Sequence, residues 1–175
     1  AAELRAVLKY MSQSKQPTYL QLVRSKMPNL MDDDVEFDPN RSVNLNAGTD
    51  VTLVSTGYMT SFAVQAADHL SSEGIRVDLL HYPSVKPFDA STLINSAKRT
   101  GAVVTVENQN TIGGLGSAVC EVLSENQPTP VKRLGIPDRF GEVGDPEYLF
   151  SKHGFGVRHI AAACRDMASK PAAME

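Results

Sequence analysis

The residues between Glu107 and Gly116 are the first place where chemistry could be done. The run Ala102-Val-Val-Thr-Val-Glu-Asn-Gln-Asn-Thr-Ile-Gly-Gly-Leu-Gly-Ser-Ala-Val119 begins β-branched, turns polar, passes through Gly113, Gly114 and Gly116, and ends amphipathic with Leu115, Val119, Val122 and Leu123. That order reads as strand, glycine-rich turn, helix. A helix start reached through glycines can hold an anion on backbone N–H groups. The same glycines can instead let a helix begin hard against a sheet. The dinucleotide fingerprint G-x-G-x-x-G/A is met in two of its three glycines by Gly114-Leu-Gly116-Ser-Ala-Val119. Asp138 stands roughly twenty residues on, near where a ribose-binding acid would sit. But residues 107–112 separate Val106 from Gly113, and Val119 replaces the third glycine. Close helix packing is the favoured reading of this turn.

Other candidates are scattered. Glu107 ends the strand at the sheet's carboxyl edge, where a carboxylate can be a general base or can anchor the loop; the anchor is preferred. His69, His81, His153 and His159 have no metal-ligand spacing. His81, at a strand end beside Tyr82, is the best site candidate of the four. Ser55 and Ser117 lack the G-x-S-x-G context of a hydrolase nucleophile. Asp138 and Arg139 read as partners of neighbouring loops or of another subunit. Cys120 and Cys164 fall on apolar helix faces and read as buried thiols of a reducing cytoplasm rather than a disulfide or metal pair. No complete catalytic set converges. The chemistry is therefore expected on another portion of the protein or on a partner chain.

The elements that must position these residues follow from periodicity. Residues 2–13 carry Leu4, Val7, Leu8 and Met11 on one helix face. Thr18–Val23 reads as a short strand. An acidic, irregular stretch then contains Asp32, Asp33, Asp34, Glu36 and Asp38. This divides the chain into a tail of a preceding domain (1–28), a linker (29–40), a complete α/β domain (41–169) and a disordered tail (170–175). Beyond the linker, strands at 42–46, 51–55, 75–80, 103–106 and 130–134 alternate with helices. Asp89 is placed to cap one helix and Gly101 to close it. Such alternation predicts a mostly parallel sheet covered on both faces, with ligand-binding loops at its carboxyl edge, including Thr56–Met59 and Asn108–Ser117. In a chain of 175 residues, 42% hydrophobic and 21% charged residues describe a globular protein. A net charge of −3 with no basic patch argues against nucleic-acid or acidic-membrane partners. No apolar run reaches membrane-spanning length. The chain opens in a helical pattern without an initiator Met and reads as a fragment or trimmed subunit.

Several stretches, in order, carry a family likeness. They are Pro17-Thr-Tyr-Leu-Gln-Leu-Val-Arg24, Gly48-Thr-Asp-Val-Thr-Leu-Val-Ser-Thr-Gly57, Tyr82-Pro-Ser-Val-Lys-Pro-Phe-Asp89, Val104-Thr-Val-Glu107 with Ile112–Val119, and Arg133-Leu-Gly-Ile-Pro-Asp-Arg-Phe-Gly141. Together they resemble the C-terminal part of transketolases and related thiamine-diphosphate enzymes. The resemblance implies the end of a pyrimidine-binding domain followed by a whole C-terminal domain. That domain would be a three-layer α/β/α fold with a mostly parallel five-stranded sheet, its first strand antiparallel. It further implies transfer of a two-carbon ketol unit between sugar phosphates by a homodimeric enzyme, using thiamine diphosphate and Mg²⁺ (or Ca²⁺). The cofactor would be held by the diphosphate- and pyrimidine-binding domains, in the same polypeptide or a separate subunit. The diphosphate motif Gly-Asp-Gly is missing, since Gly144-Asp145 continues with Pro146. No cofactor is expected on this chain, and no activity from it alone. The resemblance places Arg24 where the family binds the substrate phosphate, and a guanidinium suits that geometry. Gln109 stands where split relatives often carry His. Two alternatives remain: a portion of the β subunit of a 2-oxo acid dehydrogenase, and a stand-alone nucleotide-binding domain.

Overall fold

A computed structural model describes residues 2–169. The elements are α1 (Ala2–Gln13), β1 (Val43–Asn46), β2 (Val51–Ser55), α2 (Met59–Ser72), β3 (Val77–His81), α3 (Ala90–Thr100), β4 (Val103–Asn110), α4 (Leu115–Asn126), β5 (Val131–Ile136), α5 (Pro146–Lys152) and α6 (Val157–Ala168). The strands form one sheet in the order β1-β3-β2-β4-β5. β1 pairs antiparallel with β3, and the other neighbours are parallel. The expected mostly parallel five-stranded sheet with an antiparallel first strand is therefore present.

Strand alternation sorts side chains to two cores. Val51, Leu53, Val77, Leu79, Val104 and Val106 pack with Met59, Ala63, Ala66 and Leu70 of α2 and Ile160, Ala161 and Cys164 of α6. Val54, Leu80 and Val103 face the other way, against Leu93 and Ala97 of α3 and Leu115, Val119 and Leu123 of α4. Helices thus cover both faces, giving three layers. Small alanines on α2 and α6 let those two helices lie together on one face.

β3 and β5 are shifted by one or two residues from the expected ranges, and three larger differences stand out. Thr18–Val23 carries no strand; residues 14–42 contain neither helix nor strand among the described residues. A β-strand is held by a neighbour's backbone groups, and none of the described strands lies beside this stretch, so its β-branched pattern has nothing to pair with. β4 runs on through the polar residues to Asn110, which pairs with Ile136 beyond an irregularity in register. The polar residues after Val106 continue the ladder because backbone pairing does not require an apolar side chain. Gly116 lies inside the first turn of α4 rather than in the loop. The expected disordered tail falls outside the described residues.

The stretch from Tyr82 to Asp89 explains its own composition. Tyr82 is buried, stacks on Phe88 at 4.5 Å between ring centroids, and donates its hydroxyl to the Asp89 carbonyl at 2.8 Å. Asp89 caps α3 by accepting from the Thr92 N–H and hydroxyl, and also accepts from the Ser42 N–H and hydroxyl, which ties the approach to β1 onto the helix start. Burial works against ionisation, but the donors Ser42 and Thr92 outweigh it and hold this carboxyl at about 2. An unfolded aspartate titrates near ~3.9. The stabilisation is thus fully present above that value and is lost as pH falls through the native one. Asp89→Ala should lower the unfolding free energy by about 1–2 kcal/mol near neutrality. In urea titrations the gap between wild type and variant should close as the pH approaches 2; a gap that persists there would contradict the assigned cap.

Candidate functional site at the carboxyl edge of the sheet

The chain leaves β2 toward β3 on one side and β4 toward β5 on the other. The crevice between the carboxyl ends of β2 and β4 is therefore the switch point where parallel α/β sheets bind ligands. Glu107, on β4 three residues before its end, is 1% exposed and points under the start of α4. Its Oε2 accepts from the Leu115 N–H and its Oε1 from the Gly116 N–H, both at 2.8 Å. These are the orphan donors of the helix N-terminus, and a carboxylate complements the positive end of the dipole. Burial pushes the Glu107 carboxyl up, against the pull of the two N–H donors and the Arg133 charge, and burial prevails.

The glycines follow from this contact. A Cβ on Gly114 would stand 1.9 Å from Glu107 Oε2, inside the carboxylate. A Cβ on Gly116 would stand 2.9 Å from the side chains of Arg133 and Thr105. Gly113 adopts φ +80° to bring the chain round, and its N–H donates to Ser117 Oγ at 2.8 Å. The anion cradle that the sequence suggested is real in form, but the protein's own Glu107 fills it. Dinucleotide binding at this turn loses the two N–H groups it would need. Glu107 is the loop anchor of the two readings open from sequence.

His81 ends β3 on the same edge and is buried. Its Nδ1 lies 2.8 Å from Thr60 Oγ1, and its Nε2 lies 2.5 Å from Glu3 Oε1 on α1. Ser55 donates to Thr60 Oγ1 at 3.2 Å. With the proton on Nε2, every hydroxyl in the row Ser55–Thr60–His81–Glu3 has one direction to point, and the imidazole accepts from Thr60. Hydroxyl, imidazole and carboxylate stand in the order of a nucleophile relay, but Ser55 and Thr60 are buried beyond the reach of a substrate. The row instead fastens α1 to the sheet. Burial raises the Glu3 carboxyl, and the His81 hydrogen bond, the largest of the opposing effects, brings it below its usual value. Arg5–Asp33 at 2.6 Å and the edge-on Tyr10–Phe37 pair add contacts between α1 and residues 29–40.

The remaining candidates separate. Arg24 is exposed, in a stretch without helix or strand, and no described residue forms an ion pair with it. Asn110 donates to Asp138 at 3.0 Å, and Arg139 lies 3.1 Å from His153 Nδ1, so both loop residues do pair with neighbours. His69 meets Glu73 at 3.2 Å on an exposed helix face, and His159 is exposed. Gln109 is exposed on β4. Cys164 is buried, which pushes its thiol up to about 12; Cys120 is half-buried. Sequence reasoning missed a buried network beneath α3, in which Asp78 of β3 accepts from Arg99, Ser96, Asn44 and the Gly48 N–H. A lone acid between Val77 and Leu79 was the available signal. The part played by Glu3 had no such signal, since its partner is 78 residues away.

Thiamine diphosphate and its metal do not fit these residues. Among the described residues no three His, Cys, Asp or Glu side chains converge to hold a metal ion. The start of α4 at the switch point, whose glycine turn suggested an anion cradle, is closed by Glu107.

Gly114→Ala should displace Glu107 and strand its carboxylate, lowering stability by about 2–4 kcal/mol in urea unfolding. Glu107→Gln should cost less, about 1–2 kcal/mol; a neutral result for both would disprove the capping role. Limited proteolysis should cut within residues 29–40. Glu3→Ala should speed that cut about fivefold or more, because loss of about 1 kcal/mol raises the open population by that factor.

The family model described as "Transketolase, C-terminal domain" matches residues 41–160. The chain is 39% identical over 170 residues to the 6-deoxy-6-sulfo-D-fructose transketolase subunit SqwH of Clostridium sp. (strain MSTE9), covering 97% of this chain and 53% of that protein. It is 33% identical over 171 residues to one of the subunits of the apulose-4-phosphate transketolase of Phocaeicola vulgatus, covering 97% of this chain and 54% of that one. The chain thus spans about half the length of these curated relatives. Among solved structures, a split-gene transketolase, an inactive beta4 tetramer, superposes with a TM-score of 0.92 at 43% identity, over 96% of this chain and 55% of that one. The sheet order, the antiparallel first strand and these matches agree: the chain belongs to the transketolase family and carries its C-terminal domain.

Proposed function

We propose that this chain is the C-terminal portion of one subunit of a split transketolase. The complete enzyme moves a two-carbon ketol unit between sugars that carry a terminal anion, a phosphate or a sulfonate. Thiamine diphosphate supplies the carbanion chemistry of ketol transfer when it is bound, with Mg²⁺ or Ca²⁺, on the diphosphate- and pyrimidine-binding portions. This chain contributes assembly surface and one substrate contact, and alone it is inactive. The observation that carries the reading is the likeness to split-transketolase subunits over nearly the whole chain, most of residues 1–40 included. Self-association of the complete subunit into a homodimer or larger assembly, and a cytoplasmic setting, belong to the same proposal.

Arg24 is the proposed contact to the terminal anion. Its guanidinium is exposed and has no ion-pair partner among the described residues, so it meets a ligand without first breaking a bond. It precedes Ser25 and Lys26, which adds a second positive charge nearby. A planar fork of donors suits phosphate and sulfonate alike.

In the assembled enzyme, Arg24→Ala should raise KM for phosphorylated or sulfonated sugars roughly tenfold to a hundredfold, the equivalent of about 1.5–3 kcal/mol for a charge-assisted contact. Neutral sugars should be little affected, and Arg24→Lys should recover part of the loss. An equal effect on charged and neutral sugars would remove the anion role.

A further inference from the structure

Arg24 is followed at once by two more donors. Ser25 and Lys26 are exposed, the chain bends at Arg24 and Ser25, and none of the three side chains is bonded to another described residue. Acids are close in sequence, at Asp32, Asp33, Asp34, Glu36 and Asp38. Yet Asp33 pairs with Arg5 on α1, and Asp38 turns to Asn40. The two cations before that stretch stay uncommitted. Two residues span at most about 7 Å of backbone. Arginine and lysine carry their charges on long stems, so both charged ends can close on one anion, with the Ser25 hydroxyl between them.

The inference rests on the reading of Arg24 as the contact to the terminal anion. A single guanidinium leaves phosphate and sulfonate equal, because its planar fork matches the oxygens of either. A second cation makes them unequal. A phosphate monoester carries a charge of about −1.5 to −2 near neutrality, its last proton leaving near pH ~6. A sulfonate carries a single negative charge throughout. Arg24 alone neutralises a sulfonate. A phosphate dianion on Arg24 keeps a negative charge, and the Lys26 ammonium is within reach to meet it as a point charge. We propose that Lys26 is a specificity-determining residue, which with Arg24 and the Ser25 hydroxyl makes this site select a sugar phosphate dianion over a sugar sulfonate.

Steady-state kinetics of the assembled enzyme, with a phosphorylated sugar and its sulfonate isostere as matched substrates, test it. The wild type should have a KM at least about tenfold lower for the phosphate at about pH 7.5, the effect of one added charge-assisted contact. The ratio of the sulfonate KM to the phosphate KM should fall as the pH drops through ~6 and the phosphate takes up a proton. Taking the ratio removes every ionisation of the enzyme that both sugars share. Lys26→Gln should raise KM for the phosphate about tenfold and for the sulfonate less than about twofold, and should flatten the pH dependence of the ratio. Lys26→Arg should keep both the preference and its pH dependence. The melting temperature should be the same in all three, since Lys26 is exposed. An equal rise in KM for both sugars in Lys26→Gln, or a wild-type ratio that does not move with pH, would overturn the selection. Arg24→Ala separates the two failures. If it treats charged and neutral sugars alike, the anion contact falls and the selection with it. If it is selective while Lys26→Gln changes nothing, the selection alone falls.

Discussion

The carboxylate of Glu107 against the first N–H groups of α4 is the contact on which the carboxyl edge depends. It places a charged side chain in a buried position, which is costly unless every oxygen is satisfied. Satisfaction comes from Leu115 and Gly116, so α4 must start within hydrogen-bond distance of the Glu107 side chain on β4. That closeness requires glycine at 114, where even a methyl group would occupy the carboxylate's place, and at 116, where it would press on Thr105 and Arg133. Gly135 on the neighbouring strand is crowded too, since a Cβ there would stand 2.9 Å from the Gln109 carbonyl and 3.2 Å from Glu107 Cγ. The buried acid thus accounts directly for glycine at 114 and shares the crowding at 135 with Gln109 and Thr111. It also separates this turn from a nucleotide site of similar composition, where the same donors are left for a ligand.

The other buried polar groups do comparable work on the strands beside it. Asp78 anchors α3 through Ser96 and Arg99 and reaches β1 through Asn44. Thr52 adds bonds to Ser96 and Thr100 on the same helix. These interactions specify position more than they add stability, because burying charge offsets most of the gain from pairing it. The apolar cores hold the layers together, and the polar networks fix how far each helix slides along the sheet. At the edge, His81 carries the same logic across a long sequence separation, joining α1 to the domain through Glu3.

Sequence legibility follows that division of labour. Strands and helices were readable because their apolar residues repeat with periods that only those elements have. The caps at Asp89 and Gly101 were readable because capping is local in sequence. The anchor role of Glu107 was readable in outline, since acid and glycine turn lie within one motif, but not the identity of its donors. Glu3 and Asp78 were not readable as partners, since their contacts arise from tertiary placement. The strand expected at 18–23 failed for a related reason. A β pattern reports the wish of a segment to pair, whereas a strand exists only with its neighbour.

The arrangement changes what the ligand edge of an α/β sheet is for. In a sheet that binds small polar ligands, that edge keeps unsatisfied N–H groups and convergent polar side chains open to solvent. Here the α4 donors are taken by Glu107, and the hydroxyls at the ends of β2 and α2 are taken by His81. What remains prominent to solvent beside the switch point is Ile112, Phe140 and Val143. A sugar phosphate would gain little from an aromatic ring and branched alkyl groups, with Asp138, Arg139 and Glu142 beside them already bonded within the chain. A protein surface would gain the area those groups remove from water. The same topology that serves ligand binding elsewhere is chemically suited, with its polar ends closed from within, to meeting another polypeptide.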